Sequence, residues 1–240
     1  MENAKYKRVL IKISGEALAG GKGSGLDFEI LNKLSDVIKK CVDIGVEIGI
    51  VVGAGNIWRG VKDGAGKIDR ARSDHMGMLG TAINALALAD VLEQHDLDVR
   101  VQTAINMSAF AEPYIRLKAI RHLEKGRVVV FGCGTGSPYM STDTAAVLRA
   151  VETNADIILF AKNIDGVYDS DPAKNPDAKK YDKITFDEIL EKHLGVMDST
   201  AASMANDNHM PMLVFGVNKP ESIYEAITGS DVGTLVVSTR

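Results

Sequence analysis

The stretch VEIGIVVGAGNIWRG, residues 46–60, decides the fold class. It begins with a largely apolar run of strand length, which indicates a buried strand, and continues into a glycine turn followed by an aromatic residue and an arginine. A glycine turn directly after a strand is typical of phosphate binding. Neither familiar nucleotide pattern fits, because G-x-G-x-x-G fails after Gly55 and Gly60 is followed by Val61 instead of a Walker A lysine.

The composition is that of an ordinary folded chain. Its 240 residues are 45% hydrophobic and 25% charged, which suffices for one large domain or two small ones. The net charge of −4 argues against nucleic acid as the main partner, although a local basic site for a small anion fits it. Cys41 and Cys133 lie in no metal-binding pattern, so a disulfide framework or zinc site is not expected and a reducing cytoplasm is. The apolar run near the N-terminus is interrupted by Lys12 and is too short for a signal peptide or a membrane span.

Short runs rich in Val and Ile alternate with longer helical patterns along the chain. This alternation predicts an α/β fold with a single open, mostly parallel sheet sandwiched by helices, and the uneven strand spacing disfavours a (β/α)₈ barrel. In such sheets, ligands bind beyond the carboxyl ends of the strands, so the loops there are the candidate site. The predicted strands span residues 8–13, 46–52, 97–103, 127–131, 156–160, 212–215 and 234–237.

Helical patterns lie between these strands. Apolar residues at helical spacing predict a helix over 27–44. A second helix, over 73–94, is apolar almost all round and is predicted either to be buried or to form a subunit interface. Thr185 with Glu188 predicts a capping box, and Pro220 is predicted to be the first residue of a last helix.

The loop after the first strand offers a lysine beside backbone donors. Lys12 is followed at once by Ser14 and Gly15, and an ammonium next to main-chain N–H groups suits phosphate oxygens; a solvated strand-edge lysine is the alternative. The glycine-rich run at 20–25 is predicted to be either a mobile flap or a loose turn. After the second strand, Gly55 allows close approach of a ligand and Arg59 supplies a planar fork for phosphate, or is solvated.

Two later loops extend the pattern. Gly132, Gly134 and Gly136 precede a helix predicted to begin near residues 141–142, so its positive end faces the glycine loop. Asp143, in the first turn, either complements the helix dipole or orients a lysine or a magnesium ion. The loop after the fifth strand is long and polar, with Tyr168 as a candidate surface for stacking a base. Together these loops suggest a site for several phosphates, such as two nucleotides facing each other.

These segments in combination resemble the amino acid kinase family, and within it the bacterial uridylate kinases. The resemblance covers nearly the whole chain, through KRVLIKISGEAL, VVGAGNIWRG, SDHMGMLGTAINALAL, GTGSPYMSTDTAA, DGVYDSDP, VMDSTA and VFGVNKP. It implies one amino acid kinase domain over residues 1–240, with the acceptor site in its N-terminal part and the ATP site in its C-terminal part. It also implies that ATP phosphorylates UMP to UDP, with Mg²⁺, in cytoplasmic pyrimidine nucleotide biosynthesis. A homohexamer, with GTP and UTP as candidate effectors, is part of the same implication, whereas nucleic acid and membrane partners are not.

The resemblance also implies a division of the site residues. Lys12 and Asp143 are the implied catalytic residues, and no protein residue is assigned as a metal ligand. Position 54, where relatives usually have glycine, is an alanine, which would be strained at positive φ. Lys162 replaces a small polar residue of some relatives, which leaves open whether position 162 or 163 contacts ATP. The implied ATP-binding residues are Lys12, Ile13, Ser14, Gly15, Gly55, Arg59, Asn163, Tyr168 and Asp171. The implied UMP-binding residues are Ala54, Asp74, Thr135, Gly136, Ser137, Pro138, Tyr139, Met140, Ser141 and Thr142.

The expected chemistry is direct in-line phosphoryl transfer. A nucleoside monophosphate has a second pKa of about 6, so its oxygen is already mostly anionic at pH 7 and needs no general base. Positioned cations must instead offset the repulsion between two polyanions. Lys12 is therefore expected to stabilise the migrating phosphoryl group, and Asp143 to orient Lys12 or Mg²⁺. Asp198 is either a further member of the site or a helix N-cap.

Two alternatives remain open from the sequence. The first is a sibling kinase acting on a carboxylate or a carbamate, because a shared scaffold provides the ATP half whatever the acceptor. The second is a non-catalytic protein that binds nucleotides or anions. The second alternative predicts that Lys12 or Asp143 is dispensable.

Overall fold

The computed structural model describes residues 4–59, 64, 66–216 and 219–239. Gly60 and Val61 of the glycine turn, and residues 217–218 of the last motif, lie outside the described residues. The described part contains the strands β1 (Arg8–Ile13), β2 (Glu47–Val52), β3 (Val99–Thr103), β4 (Glu112–Pro113), β5 (Val128–Gly132), β6 (Ile157–Lys162), β7 (Val167–Tyr168), β8 (Lys180–Tyr181), β9 (Lys183–Thr185), β10 (Met212–Gly216) and β11 (Thr234–Val237). Its α-helices are α1 (Gly15–Ala19), α2 (Phe28–Asp43), α3 (Arg70–Gln94), α4 (Arg116–Glu124), α5 (Thr142–Glu152), α6 (Phe186–Glu191), α7 (Ser199–Asp207) and α8 (Ser222–Thr228).

Nine strands form one open sheet in the order β4-β3-β5-β2-β1-β6-β10-β11-β9. Every neighbouring pair is parallel except β10 with β11, and β7 pairs with β8 in a separate antiparallel ribbon. The predicted fold class and all seven predicted strands are confirmed. Because β1, β2, β5 and β6 are adjacent and parallel, their carboxyl ends meet at one edge of the sheet.

The central strands are buried on both faces, which explains why they are nearly continuous apolar runs. Along β1, Val9, Ile11 and Ile13 enter the core on one side of the sheet, whereas Leu10 enters the core on the other. Lys12 shares the parity of Leu10, so its side chain lies on the face that α5 covers. A lysine at this position is drawn into the protein and does not lie at a solvated strand edge.

The long helix α3 has one buried side and one exposed apolar side. Ala85, Leu88 and Leu92 are buried against the sheet, whereas Leu79 and Ile83 are each 52% exposed. The prediction that this helix is buried is confirmed for one side only, and the alternative of a subunit interface stays a prediction for the exposed side. By length and composition α3 could cross a membrane, but more than half of its most apolar window is packed inside the fold, as in a core helix.

Helix caps follow the local sequence with one exception. Thr185 and Glu188 form the predicted capping box at the start of α6. The prediction for Pro220 was wrong: α8 begins at Ser222, and the carbonyl of Pro220 accepts a hydrogen bond from Ile223 N in the turn before it. The glycine-rich run 20–25 forms a short 3₁₀ turn over Gly20–Lys22, followed by glycines with positive φ.

Candidate active site

Two lysines and one aspartate form a charge cluster at the carboxyl ends of β1 and β6. The Nζ atom of Lys12 lies 2.7 Å from Oδ1 of Asp143, and the Nζ atom of Lys162 lies 3.0 Å from Oδ2 of the same carboxylate. The Lys12 side chain is only 6% exposed, so the ion pair is largely removed from water. Both ammonium groups also lie over the ring of Phe160, at 5.2 and 4.4 Å from its centre.

The electrostatics of this cluster favour a charged carboxylate. Burial by itself would raise the pKa of Asp143, but the ammonium groups of Lys12 and Lys162 outweigh burial and hold the pKa below its usual value. Burial and the positive charge of Lys12 lower the pKa of Lys162, although the negative charge of Asp143 acts in the opposite direction. Asp143 therefore holds two like charges together that would otherwise repel each other.

The N-terminus of α5 positions Asp143. Ser141 is the N-cap, and its Oγ accepts hydrogen bonds from Asp143 N and Thr144 N, both at 3.0 Å. Asp198 supports this cap, because its carboxylate accepts hydrogen bonds from Ser141 Oγ and, at 3.1 Å, from Thr144 Oγ1. Asp198 is also the N-cap of α7 through Ala201 N, so the N-cap prediction is confirmed and one carboxylate joins two helix N-termini.

The loops after β1 and β2 pack backbone against backbone, which explains their glycines. A Cβ atom at Gly15 would fall 2.5 Å from Gly55 N, and one at Gly53 would fall 3.0 Å from Gly15 N. Close approach, and not positive φ, is thus what requires glycine here. Ala54 also lies outside the positive φ region, so the strain expected for an alanine at this position does not arise.

Arg59 extends from the second of these loops. Its NH2 group pairs with Glu16 Oε1 at 2.9 Å, and its Nε donates to the carbonyl of Gly55 at 3.0 Å. Glu16 lies in α1, directly after Gly15. The guanidinium therefore joins the ends of both glycine loops and is not simply solvated.

A first pocket lies between α3, the loop after β2 and the loop after β5. Asp74 is held in its wall, because its carboxylate accepts hydrogen bonds from Arg70 Nε at 2.9 Å and from Tyr139 N at 2.8 Å. The predicted UMP residues that line this pocket are Ala54, Asp74, Thr135, Ser137, Met140 and Thr142. The predicted UMP residues that do not line it are Gly136, Pro138, Tyr139 and Ser141.

The reasons for these exceptions are local. Gly136 turns the chain at φ 82° and donates its N–H to Cys133 O. Tyr139 is 67% exposed and uses its backbone N–H to hold Asp74. Ser141 uses its hydroxyl as the N-cap of α5.

Sequence reasoning missed part of the wall of this pocket. The residues that line it without having been predicted are Trp58, Ser73, Gly77, Met78, Thr81 and Cys133, and Gly134 was predicted only as part of the glycine loop after the fourth predicted strand. Thr81 fixes the loop after β5, because its Oγ1 accepts the N–H of Cys133 at 2.7 Å, and Cys133 has the unusual φ of 64°. The spacing of Ser73, Gly77 and Thr81 at every fourth position was the available signal for one helix face.

A second pocket lies between the loop after β6 and the turn after α6. Its lining includes Tyr168 and Asp171, which were both predicted to bind ATP. The other residues that line it are Ile164, Gly166, Val167, Asp169, Ser170, Pro172, Lys192, His193, Leu194, Gly195 and Val196. The hydroxyl of Tyr168 donates to Asp165 Oδ1 at 2.8 Å, which orients the ring. Asn163 is exposed and does not line this pocket. The residues of the turn, 192–196, were missed because nothing in their local pattern marks a site.

No group of three His, Cys, Asp or Glu side chains suited to a metal ion occurs within the described residues. Both oxygens of Asp143 already contact ammonium groups, and the Asp198 carboxylate accepts hydrogen bonds from two hydroxyls. Because these carboxylates already have partners, they are not placed to surround a Mg²⁺ ion by themselves. They fit a Mg²⁺ ion that is bound mainly by nucleotide phosphates, which is how Mg²⁺ usually binds in kinases.

Comparisons with known proteins agree with this geometry. Residues 7–216 match the model of the amino acid kinase family. The structure is similar to the UMP kinase of Bacillus anthracis, with 43% identity, a TM-score of 0.94, and coverage of 98% of this chain and 97% of that one. It is also similar to the UMP kinase of Ureaplasma parvum, with 38% identity, a TM-score of 0.91, and coverage of 98% and 100%. The uridylate kinase of Archaeoglobus fulgidus is 26% identical, with a TM-score of 0.75 and coverage of 95% and 99%. The chain therefore belongs to the amino acid kinase family.

Proposed function

We propose that this chain transfers the γ-phosphoryl group of ATP to UMP, giving UDP and ADP. The observation that carries the proposal is the cluster of Lys12, Asp143 and Lys162, two of which are near neighbours along the chain of residues that line the two pockets. Asp143 follows Thr142 of the first pocket, and Lys162 lies two residues before Ile164 of the second. The similarity to two UMP kinases over nearly the full length of each chain supports the same reaction.

The first pocket is the proposed acceptor site. Asp74 can accept one further hydrogen bond from a ribose hydroxyl, since a carboxylate has about four acceptor positions and the contacts from Arg70 and Tyr139 occupy three of them. Thr135 and Ser137 supply short polar groups for a base. Ala54 and the glycine loops contribute backbone N–H groups near the phosphate.

The second pocket is the proposed ATP site. Tyr168 provides a ring for the adenine, and Asp171 a carboxylate for the ribose. We propose Lys162, and not Asn163, as the residue of this pair that contacts the ATP phosphates, because its ammonium is in the cluster and Asn163 is exposed. Lys12, Ile13, Ser14, Gly15, Gly55 and Arg59 complete the proposed phosphate contacts.

In the proposed mechanism the protein supplies position and positive charge. The acceptor oxygen of UMP is already anionic at neutral pH, so no side chain needs to remove a proton. Lys12 and Lys162 stabilise the negative charge on the phosphoryl group as it moves between the two pockets. Asp143 keeps both ammonium groups aimed at that point and offsets their mutual repulsion. Mg²⁺ would enter on the ATP phosphates and reduce the charge repulsion between the two substrates.

The proposed assembly is a homohexamer that uses the exposed side of α3 in one of its contacts. Met76, Leu79, Ile83 and Leu86 form an exposed apolar stripe along this helix, and such a stripe is typical of protein contacts. A cytoplasmic location fits the two free, buried cysteines. Regulation by GTP or UTP, and a place in pyrimidine nucleotide biosynthesis, stay predictions from the family resemblance.

The test is an acceptor panel with ATP and Mg²⁺, scored by ADP release. UMP, CMP, an amino acid with a side-chain carboxylate, and carbamate are compared at equal concentration. We expect turnover with UMP that exceeds that with every carboxylate or carbamate acceptor. ADP release with a carboxylate only would identify a sibling kinase, and ATP binding without turnover on any acceptor would identify a non-catalytic binder.

A further inference from the structure

Two buried asparagines outside the charge cluster contact each other through their side-chain amides. Asn56 follows the glycine turn after β2, and Asn84 lies in the middle of α3. Asn84 Nδ2 donates to Asn56 Oδ1 at 2.7 Å, and Asn56 Nδ2 donates to Asn84 Oδ1 at 3.0 Å. We propose that this amide pair positions the phosphate-binding loops for the reaction, an inference that rests on the proposed function.

The remaining N–H of each amide holds a different loop. Asn84 Nδ2 donates to the carbonyl of Gly53 at 2.7 Å, and Asn56 Nδ2 donates to the carbonyl of Gly25 at 2.6 Å. Gly25 N donates in return to the backbone carbonyl of Asn56 at 3.0 Å. All four amide hydrogens of the pair are thereby used, which is what a buried polar pair requires.

The pair also touches the loop after β1. A Cβ atom at Gly15 would fall 2.4 Å from Asn56 Oδ1, so this loop rests on the amide with no space between them. Three chain segments therefore take their position from one pair: the loop after β1, the turn after β2 and the glycine-rich run 20–25. The first two hold the proposed phosphate contacts, and α3, which carries Asn84, also carries Asp74 of the proposed UMP site.

The hydrogen bonds of this pair explain why two polar side chains, Asn56 and Asn84, are buried here. Burying two amides is unfavourable unless every donor finds an acceptor, and apolar side chains would pack at lower risk. What the amides provide is direction, because each hydrogen bond fixes the orientation of a peptide carbonyl and hence of the N–H groups that follow it. Asn56 and Asn84 are thus positioning residues, which act through Gly15, Gly53 and Gly25.

The first test uses hydrogen exchange without substrates. Asn84 is not bonded to Gly25, so a purely local role predicts that Asn84→Ala leaves exchange in the 20–27 segment unchanged. We expect instead that this segment exchanges at least about tenfold faster in Asn84→Ala, under conditions where the variant is folded. Asn208→Ala is the control for loss of an exposed amide, because it removes a side-chain hydrogen bond to a helix carbonyl, Met204 O, far from the site in sequence. Wild-type exchange at 20–27 in Asn84→Ala would overturn the proposal.

The second test uses turnover with ATP and UMP. We expect Asn84→Ala to lower kcat by about 100-fold and to change the KM for UMP by less than about threefold, because loops displaced by about 1 Å still bind but no longer align the reacting atoms. Asn56→Ala should do the same, and the double variant should be no slower than the slower single variant, because both changes break one pair. Losses that multiply in the double variant would mean that the two residues act independently and would overturn the pairing.

The double variant Asn56→Leu with Asn84→Leu guards against simple unfolding. It replaces both amides by apolar groups of similar shape, which is the change that leaves fewest unpaired side-chain donors. We expect it to fold, to show fast exchange at 20–27 and to have the low kcat. A folded Asn56→Leu with Asn84→Leu double variant that has wild-type kcat and wild-type exchange would overturn the proposal. If wild-type protein shows no UMP-dependent ADP release, the proposed function fails, and the exchange experiment still decides whether the pair couples these loops.

Discussion

Replacing Asp143 by asparagine tests the charge cluster most directly. The substitution keeps the shape of the side chain and removes the charge between two ammonium groups, whose Nζ atoms can be no more than about 8 Å apart given their contacts to one carboxylate. At an effective dielectric constant of about 20, two unit charges at that distance repel each other by about 2 kcal/mol or more. Including the lost attraction, we expect the free energy of unfolding to fall by about 3 kcal/mol.

The same substitution should separate turnover from nucleotide binding. Misdirected lysines should lower kcat by about 100-fold, whereas the Kd for ATP should stay within about threefold, because the site becomes more positive. Urea unfolding gives the free energy of unfolding, ADP release gives kcat, and calorimetric titration gives the Kd for ATP. Asp98→Asn is the matched control, because Asp98 also pairs with two cations, Arg100 and Arg127, but is half exposed. A folded Asp143→Asn variant with normal stability and normal kcat would refute the reasoning.

Four further predictions follow from the same structure. Lys12→Ala should lower kcat by about 100-fold or more while changing UMP affinity little, as measured by steady-state kinetics and by titration; equal losses in both would mean that Lys12 only binds the ground state. Asp74→Ala should raise the KM for UMP about tenfold or more and leave the KM for ATP unchanged; the opposite result would reverse the two proposed sites. The pKa of Asp143 in the folded protein lies below its ordinary value of 3.8, so the stability that Asp143 contributes is present above that pH and is lost as the pH falls toward the folded pKa. The difference in unfolding free energy between wild type and Asp143→Asn should therefore shrink only below about pH 4. A difference that already shrinks above about pH 5 would contradict this prediction. Ile83→Asp should reduce the mass of the assembly in light scattering, because it places a charge on the exposed apolar stripe of α3; an unchanged mass would exclude this stripe as a contact.

The sequence predicted those parts of the site that depend on local pattern. Lys12 stands beside Ser14 and Gly15 at a strand end, and Asp143 lies in the first turn of a helix that follows a glycine loop, so each is marked by its neighbours. Lys162 has no such neighbours. Its role depends on the pairing of β6 with β1, about 150 residues away, which no local pattern reveals.

The same distinction applies to the fold. The seven long strands were found because each is either an apolar run or, as in β3, an alternation of valines with polar residues, whereas β4, β7, β8 and β9 have only two or three residues and show no periodicity. The side of α3 that lines the first pocket was missed because the spacing of Ser73, Gly77 and Thr81 marks one helix face but does not show that this face lines a pocket with the loop after β5. The start of α8 was misplaced because proline is favoured both at a first helical position and in the turn before it.

The central place of β1 has a consequence during synthesis. On one side, β1 can pair with β2, and the sheet can grow through β5 and β3, once residue 132 has left the ribosome. On the other side, β1 has no neighbour until β6 emerges, which ends at residue 162. A nascent chain paused between these points would expose the unpaired edge of a strand that is almost wholly buried in the finished protein, and such edges promote aggregation. Chains truncated in this interval should therefore depend on chaperones far more than chains that extend past β6.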